Sequence, residues 1–191
     1  MNRTPLLGLL AALGLTLSGC QGAAPAPAPT AERVVAPPAV APAAAHPTLA
    51  NHPFKPKRLE AMIQVDMFEM YFANPEGQKN PTFRIPAGKT VGIHLHNEGT
   101  VVHEFAIGRG RTGEGYREVL TAKLPMDAFF YYGEVKAEIE GATFGPLEVD
   151  KGIRDIWLRA KFPEALKGEW EIGCFVEGHY EAGMHAKLII E

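Results

Sequence analysis

Sulfur is scarce in this chain, with two cysteines and six methionines among 191 residues. Two thiols cannot make the multi-disulfide framework that staples small secreted domains. Excess charge of one sign is missing as well. The formal net charge is −3 and no basic run occurs, which removes the electrostatic case for nucleic acid as a partner. Long apolar runs are absent: the stretch from Leu6 to Leu17 is too short to span a bilayer. No internal repeat and no long helical period can be found. What remains is a globular composition, 46% hydrophobic, distributed unevenly along the chain.

The N-terminus, "MNRTPLLGLLAALGLTLSGC", reads as an export signal over residues 1–19, with Arg3 as its positive start. It closes on Leu17-Ser18-Gly19-Cys20, which resembles the bacterial lipobox. That resemblance implies lipid on Cys20, anchoring without spanning, and a place outside the cytoplasm, in the periplasm or at the cell surface. Residues 20–56 form a tether, most of it the Ala/Pro-rich "GAAPAPAPTAERVVAPPAVAPAAAHPTLA". Such a segment cannot bury enough apolar surface to fold, and His46 and His52 in or beside it are read as solvated. With Cys20 lipidated, Cys174 has no intrachain partner. A lone thiol in an oxidising compartment is a liability unless it is buried or ligated.

From residue 57 to 191 the texture is that of a folded module. Short strand-like pieces alternate with Gly and Pro: "AMIQVDMFEMYF", "PTFRIPAG", "KTVGIHLHN", "VVHEFAIG", "IRDIWLRA", "EWEIGCF" and "MHAKLII". In the third, Val91, Ile93 and Leu95 share one face while Gly92, His94 and His96 share the other. This pattern predicts an all-β antiparallel sandwich or barrel. Residues 108–151 have no clear assignment, and an extended excursion with one or two strands is expected there. Its aromatic run, Phe129-Phe130-Tyr131-Tyr132, is expected in a core or a lid.

The closing segment, "CFVEGHYEAGMHAKLII", places Cys174, His179 and Met184 at intervals of five. On a helix such side chains would sit about 140° apart. On a strand, neighbours in the set would point to opposite faces. Only a loop curling round a centre brings a thiol, an imidazole and a thioether together, and Gly178 and Gly183 give the chain freedom to turn. A second histidine from an adjacent strand would complete the His₂Cys set with a weak axial Met that defines a blue-copper centre. His94, His96 and His103 compete for that place.

The segment "IPAGKTVGIHLHNEGTVVHEFAIG" resembles the N-terminal half of a cupredoxin. There a Pro-Ala-Gly turn leads into a strand, and the ligand histidine follows an Asn-containing turn. The closing C-x₄-H-x₄-M resembles the cupredoxin ligand loop, with the spacing of the rusticyanin and auracyanin type. The resemblance covers the chain from about residue 60 onward and implies a Greek-key β-sandwich. It implies one copper ion held by His103, Cys174 and His179 with Met184 axial, Asn97 and Glu104 supporting them. Many cupredoxins have Asn or Ser directly after the first histidine to hold the thiolate, whereas Glu104 cannot donate when ionised.

These expectations describe a one-electron carrier cycling between Cu(I) and Cu(II). Four protein ligands leave no open position for a substrate, so no catalysis is expected. The resemblance implies electron exit at His179 and Tyr180, with Glu177 and Glu181 making the rim acidic. The partner would be a redox protein such as a c-type cytochrome or a terminal oxidase, docking on a monomer. The alternative is a copper delivery or storage protein of the same fold, favoured if Met62, Met67 and Met70 were exposed near the site. Core packing is expected for these three, and His94 and His96 are expected as partly exposed strand residues. His185 is expected on the opposite face of its strand from Met184. A non-blue centre with Glu104 in place of Met184 is the third possibility.

Overall fold

The computed structural model describes residues 55–132 and 135–191; the proposed signal, Cys20, His46 and His52 lie outside them. Among these described residues twelve strands follow in chain order. They are β1 (Ala61–Phe68), β2 (Tyr71–Ala73), β3 (Phe83–Ile85), β4 (Thr90–Asn97), β5 (His103–Arg111) and β6 (Tyr116–Val119). The remainder are β7 (Met126–Tyr132), β8 (Val135–Ala142), β9 (Leu147–Val149), β10 (Ile156–Lys161), β11 (Gly168–Gly173) and β12 (His185–Ile190). One turn of 3-10 helix, Glu164–Leu166, sits where "KFPEALKG" predicts a turn or short helix.

The strands form two sheets. The first has the order β2-β1-β4-β10-β7-β8 and the second β3-β12-β11-β5-β6, with β9 also paired to β5. The pairings β1 with β4 and β3 with β12 are parallel. The other strand pairs are antiparallel. Period-2 alternation supplies the core between the sheets. Val65 and Met67 of β1, Val91, Ile93 and Leu95 of β4, and Ile156 and Leu158 of β10 face Phe105 and Ile107 of β5 and Ile172, Leu188 and Ile190 of β11 and β12. Burying each large aliphatic side chain contributes about 1.5–3 kcal/mol. Cys174 and Met184 belong to the same buried cluster.

Residues 108–151 are not an excursion. They build four strands, two in the first sheet (β7 and β8) and two on β5 (β6 and β9). The glycine-rich stretch that resists reading is a hairpin turn, in which Thr112 N–H and Oγ1 both donate to the Gly115 carbonyl. In the aromatic run, Phe129 is buried on β7 opposite Trp157 of β10.

Two other expectations are corrected. His94 and His96 are buried, at 0% and 8% exposure, because the outer face of β4 is covered rather than solvated. Leu59 and the Trp157 ring pack over Gly92 there. The methionines also divide: Met67 is fully buried, Met62 half-buried, and Met70 is 37% exposed with φ +66°.

Tyr116 of β6 lies across two glycines, Gly108 on β5 and Gly173 on β11. A Cβ at Gly108 would fall 2.3 Å from the Tyr116 ring, and one at Gly173 would fall 2.4 Å from its hydroxyl. Gly108→Ala is therefore expected to push Tyr116 off this seat and cost about 1–3 kcal/mol, read as a lower urea midpoint with an unchanged m-value.

Candidate metal centre

His103 opens β5, and the turn that delivers it is fastened by Asn97. The Asn97 amide donates to the carbonyls of Val101 and Val149, both at 2.8 Å, while its oxygen accepts from Gly99 N–H at 2.9 Å. Glu69, from the β1–β2 turn, accepts from both the N–H and the hydroxyl of Thr100. Gly99 lies against the histidine: a Cβ there would be 2.7 Å from His103 Nε2. The ring is thereby fixed with Nδ1 facing inward.

Cys174 follows the last residue of β11, and Met184 precedes the first of β12. Cys174 N–H donates to the Met184 carbonyl at 3.1 Å, and Met184 N–H donates to the His179 carbonyl at 3.0 Å. Gly178 and Gly183 have φ of +79° and +107°, values that other residues adopt only with strain. This is the curl that five-residue spacing predicts. Asn80, from the β2–β3 connection, braces the loop by donating to the Gly183 carbonyl at 2.9 Å. Nothing in the sequence near Asn80 announces this role; its φ of +44° marks it only once the backbone is known.

Three ligand-type atoms converge here. His103 Nδ1 lies 3.2 Å from His179 Nδ1, which lies 3.3 Å from Cys174 Sγ. The set comes within 4.8 Å of one another and could hold a metal ion. His103 and Cys174 are fully buried, and His179 is 7% exposed. Met184 is fully buried at the end of the loop. His94 and His96, the other competitors for the fourth place, are not in this group, and neither is the Glu104 carboxylate. His185 points away and stacks on Tyr180 with centroids 4.7 Å apart.

Glu104 serves the sulfur through its backbone. Its N–H donates to Cys174 Sγ at 3.3 Å, a bond that any residue but proline could supply. The inability of its side chain to donate therefore does not leave the sulfur bare. The carboxylate Oε2 is buried with no hydrogen-bond partner among the described residues.

Around the loop, Phe175 stacks on Tyr180 at 5.2 Å, and Tyr116 meets Phe175 edge-on at 4.9 Å. The hydroxyls of Tyr116 and Tyr180 both donate to Glu171 Oε1. Arg111 covers the Tyr180 ring at 4.0 Å and pairs with Glu181 at 2.7 Å. The expected acidic rim is thus partly neutralised.

The sequence matches no protein-family model and no curated protein. Among solved structures, a multicopper oxidase from Campylobacter jejuni, described as a metallo-oxidase, superposes with a TM-score of 0.50 at 14% identity, over 72% of this chain and 31% of its own. The fold is that of the cupredoxins. This chain thus spans about a third of the oxidase's length. An auracyanin from Roseiflexus castenholzii matches with a TM-score of 0.42 at 12% identity, over 69% of this chain and 96% of its own. Rusticyanin from Thiobacillus ferrooxidans matches at 0.41 and 20%, over 68% and 77%.

In this cupredoxin fold burial shifts two of the donors, Cys174 and His103, toward their neutral forms. Burial pushes the Cys174 thiol up, against the N–H groups of Glu104 and Val176, and the Glu104 charge adds to the rise. Burial first, and then the charge of His179, hold His103 down to about 4, with Glu69 opposing them. Unfolded, the same imidazole takes up its proton near 6.5. The unfolded chain thus carries the extra proton between those values, and stability is lost as pH falls through that window. For metal-free protein, urea denaturation from pH 7 to 4 is expected to show a loss of up to about 1.4 kcal/mol per pH unit from this group, and His103→Gln should flatten that slope.

Proposed function

We propose that the chain is a type 1 copper protein that carries one electron at a time between redox partners outside the cytoplasm, tethered to a membrane by lipid on Cys20. The observation that carries this reading is the convergence of Cys174 Sγ with the Nδ1 atoms of His103 and His179, all buried. The residues fit the ion chemically. A thiolate and two imidazoles suit copper in both oxidation states, and a weak thioether from Met184 completes the set. When bound, copper supplies the one-electron couple.

The protein's own residues do the rest. The Glu104 N–H stabilises charge on the sulfur, and the Asn97 and Asn80 hydrogen bonds hold the two ligand-bearing segments in place. Little then has to move when the charge of the centre changes, which is what a carrier needs. His179, the least buried of the three, and Tyr180 beside it are the proposed exit, and a c-type cytochrome or a terminal oxidase is the proposed partner for a monomer of this chain. Encounters of this kind use small, weak interfaces. Delivery or storage of copper draws less support: of Met62, Met67 and Met70, the second is locked in the core, the first is half-buried and the third is exposed.

The test is a visible and paramagnetic-resonance spectrum of the copper-loaded protein with voltammetry. One copper per chain, intense thiolate-to-copper absorption, narrow copper hyperfine splitting and reversible cycling without metal loss are expected. Cys174→Ser should abolish the absorption, and Met184→Leu should keep it while shifting the potential. A colourless Cu(II) form would overturn the reading.

A further inference from the structure

One ring nitrogen of the metal centre is left without an obvious partner. His103 turns Nδ1 toward His179 and Cys174. A ligating ring must keep its lone pair there and carry its proton on Nε2. That Nε2 belongs to a fully buried side chain and has no hydrogen-bond partner among the described residues. An unsatisfied buried donor costs about 1–3 kcal/mol, and metal-bound histidines almost always give this second N–H to an acceptor. We propose that the acceptor is the carboxylate of Glu69, which makes Glu69 a positioning residue for His103. The inference rests on the copper reading and deepens it.

The geometry at Gly99 carries the assignment. A Cβ built there would meet His103 Nε2 at 2.7 Å, Glu69 Oε1 at 3.0 Å and Asn97 Oδ1 at 3.2 Å as its three nearest atoms. One ring nitrogen and two acceptors thus gather over a glycine, where any side chain would wedge them apart. The remaining gap closes by a small shift of ring or carboxylate, or through one bridging water. The sheet brings these groups together. β1 and β4 run parallel with Met67 beside Asn97, so the turn after β1, which carries Glu69, lies against the turn after β4. Glu98 N–H donates to the Met67 carbonyl at 2.9 Å and fastens the two turns.

Between the two acceptors, charge decides. Asn97 Oδ1 is neutral and already accepts from Gly99 N–H at 2.9 Å. A carboxylate offers about four acceptor sites and makes the stronger bond. The N–H and hydroxyl of Thr100 use two of those sites and hold the group in place. Its charge is felt at the ring: burial first and then His179 drive the imidazole toward its neutral form, and Glu69 opposes them. An anionic acceptor on Nε2–H makes the ring a stronger donor to an ion. Stronger nitrogen donation favours Cu(II) over Cu(I), so Glu69 holds the potential of the centre down.

The rival description is a turn brace, in which Glu69 serves Thr100 alone and Asn97 Oδ1 takes the ring proton. Glu69→Gln separates the two, because an amide oxygen can still accept from Thr100 while the charge is gone. In the copper-loaded full chain this variant is expected to keep one copper and its thiolate absorption. It should weaken Cu(II) about tenfold and raise the potential by about 59 mV, the one-electron equivalent of that factor. The rise should persist in about 1 M salt, where charges act over only about 3 Å. Nitrogen-15 NMR of the chain loaded with Zn²⁺, a diamagnetic stand-in, should show a His103 Nε2–H proton far downfield that moves upfield in Glu69→Gln. Zinc needs no redox couple. A wild-type copper form that is not blue would therefore defeat the carrier reading while the His103 resonance still decides this one. An unmoved potential or resonance in Glu69→Gln, a rise abolished by salt, or no His103 Nε2–H signal in the metal-loaded wild type would overturn the proposal.

Discussion

The antiparallel pairing of β11 with β5 sets where the sulfur sits. Gly173 is opposite Ala106 and Ile172 opposite Ile107, so Cys174 emerges beside the first residues of β5. There His103 and the Glu104 N–H meet it. On its other edge this start of β5 is paired with β9, His103 against Val149 and Glu104 against Glu148. A slip of one residue would turn each side chain of the strand to the wrong face, exchanging His103 for the partly buried Glu104. Phe105 and Ile107, fully buried on the core face with His103, lock the register against that slip. The apolar core thus determines the position of the centre, although only one end of it carries the chemistry.

Placing these donors in the interior has an electrostatic consequence. Desolvation is the leading cause of both perturbations, raising the Cys174 thiol and lowering the His103 imidazole. Each shift favours the neutral form. A cation entering the site reverses the balance, because its charge favours the thiolate and competes with protons for the imidazole lone pairs. The Glu104 and Val176 N–H groups already lean toward the thiolate, so the fold contributes part of that reversal in advance. Burial alone disfavours the thiolate of Cys174, and the two backbone donors aimed at sulfur offset part of that cost.

The curl of residues 174–184 is legible in the sequence because intervals of five fit neither a helix nor a strand, and Gly178 and Gly183 do adopt the left-handed angles a curl requires. The alternation of Val91, Ile93 and Leu95 gave the core face of β4 correctly. Spacing alone does not rank His103 above His94 and His96; only the resemblance to cupredoxins does. Glu69 and Asn80 carry no sequence signal because they brace the site from remote turns, through bonds to backbone that leave no local pattern. The segment 108–151 is hard to read for a related reason. Glycine signals a turn and an open loop equally well, and the partners of β7 and β9 lie far along the chain.

The burial of β4 on both faces is what periodicity missed, and it bears on the polar pair. One-sided solvation is common for strands of antiparallel sheets, and a polar outer face is ordinarily read as the wet one. Here Val91 through Asn97 are all buried, so the two imidazoles and Asp66 are removed from water with their hydrogen-bonding needs intact. Burying such groups is costly even when they are paired, and apolar side chains of similar volume usually serve stability as well or better. Packing against Trp157 therefore does not by itself call for histidine at either position. Both imidazoles use their nitrogens: His94 Nε2 faces His96 Nε2 and the Asp155 carboxylate, and His96 Nδ1 faces Asp66. At the end of the same strand, Asn97 fastens the turn that presents His103. β4 thereby connects the two places where imidazoles converge, through its terminus at one and its outer face at the other.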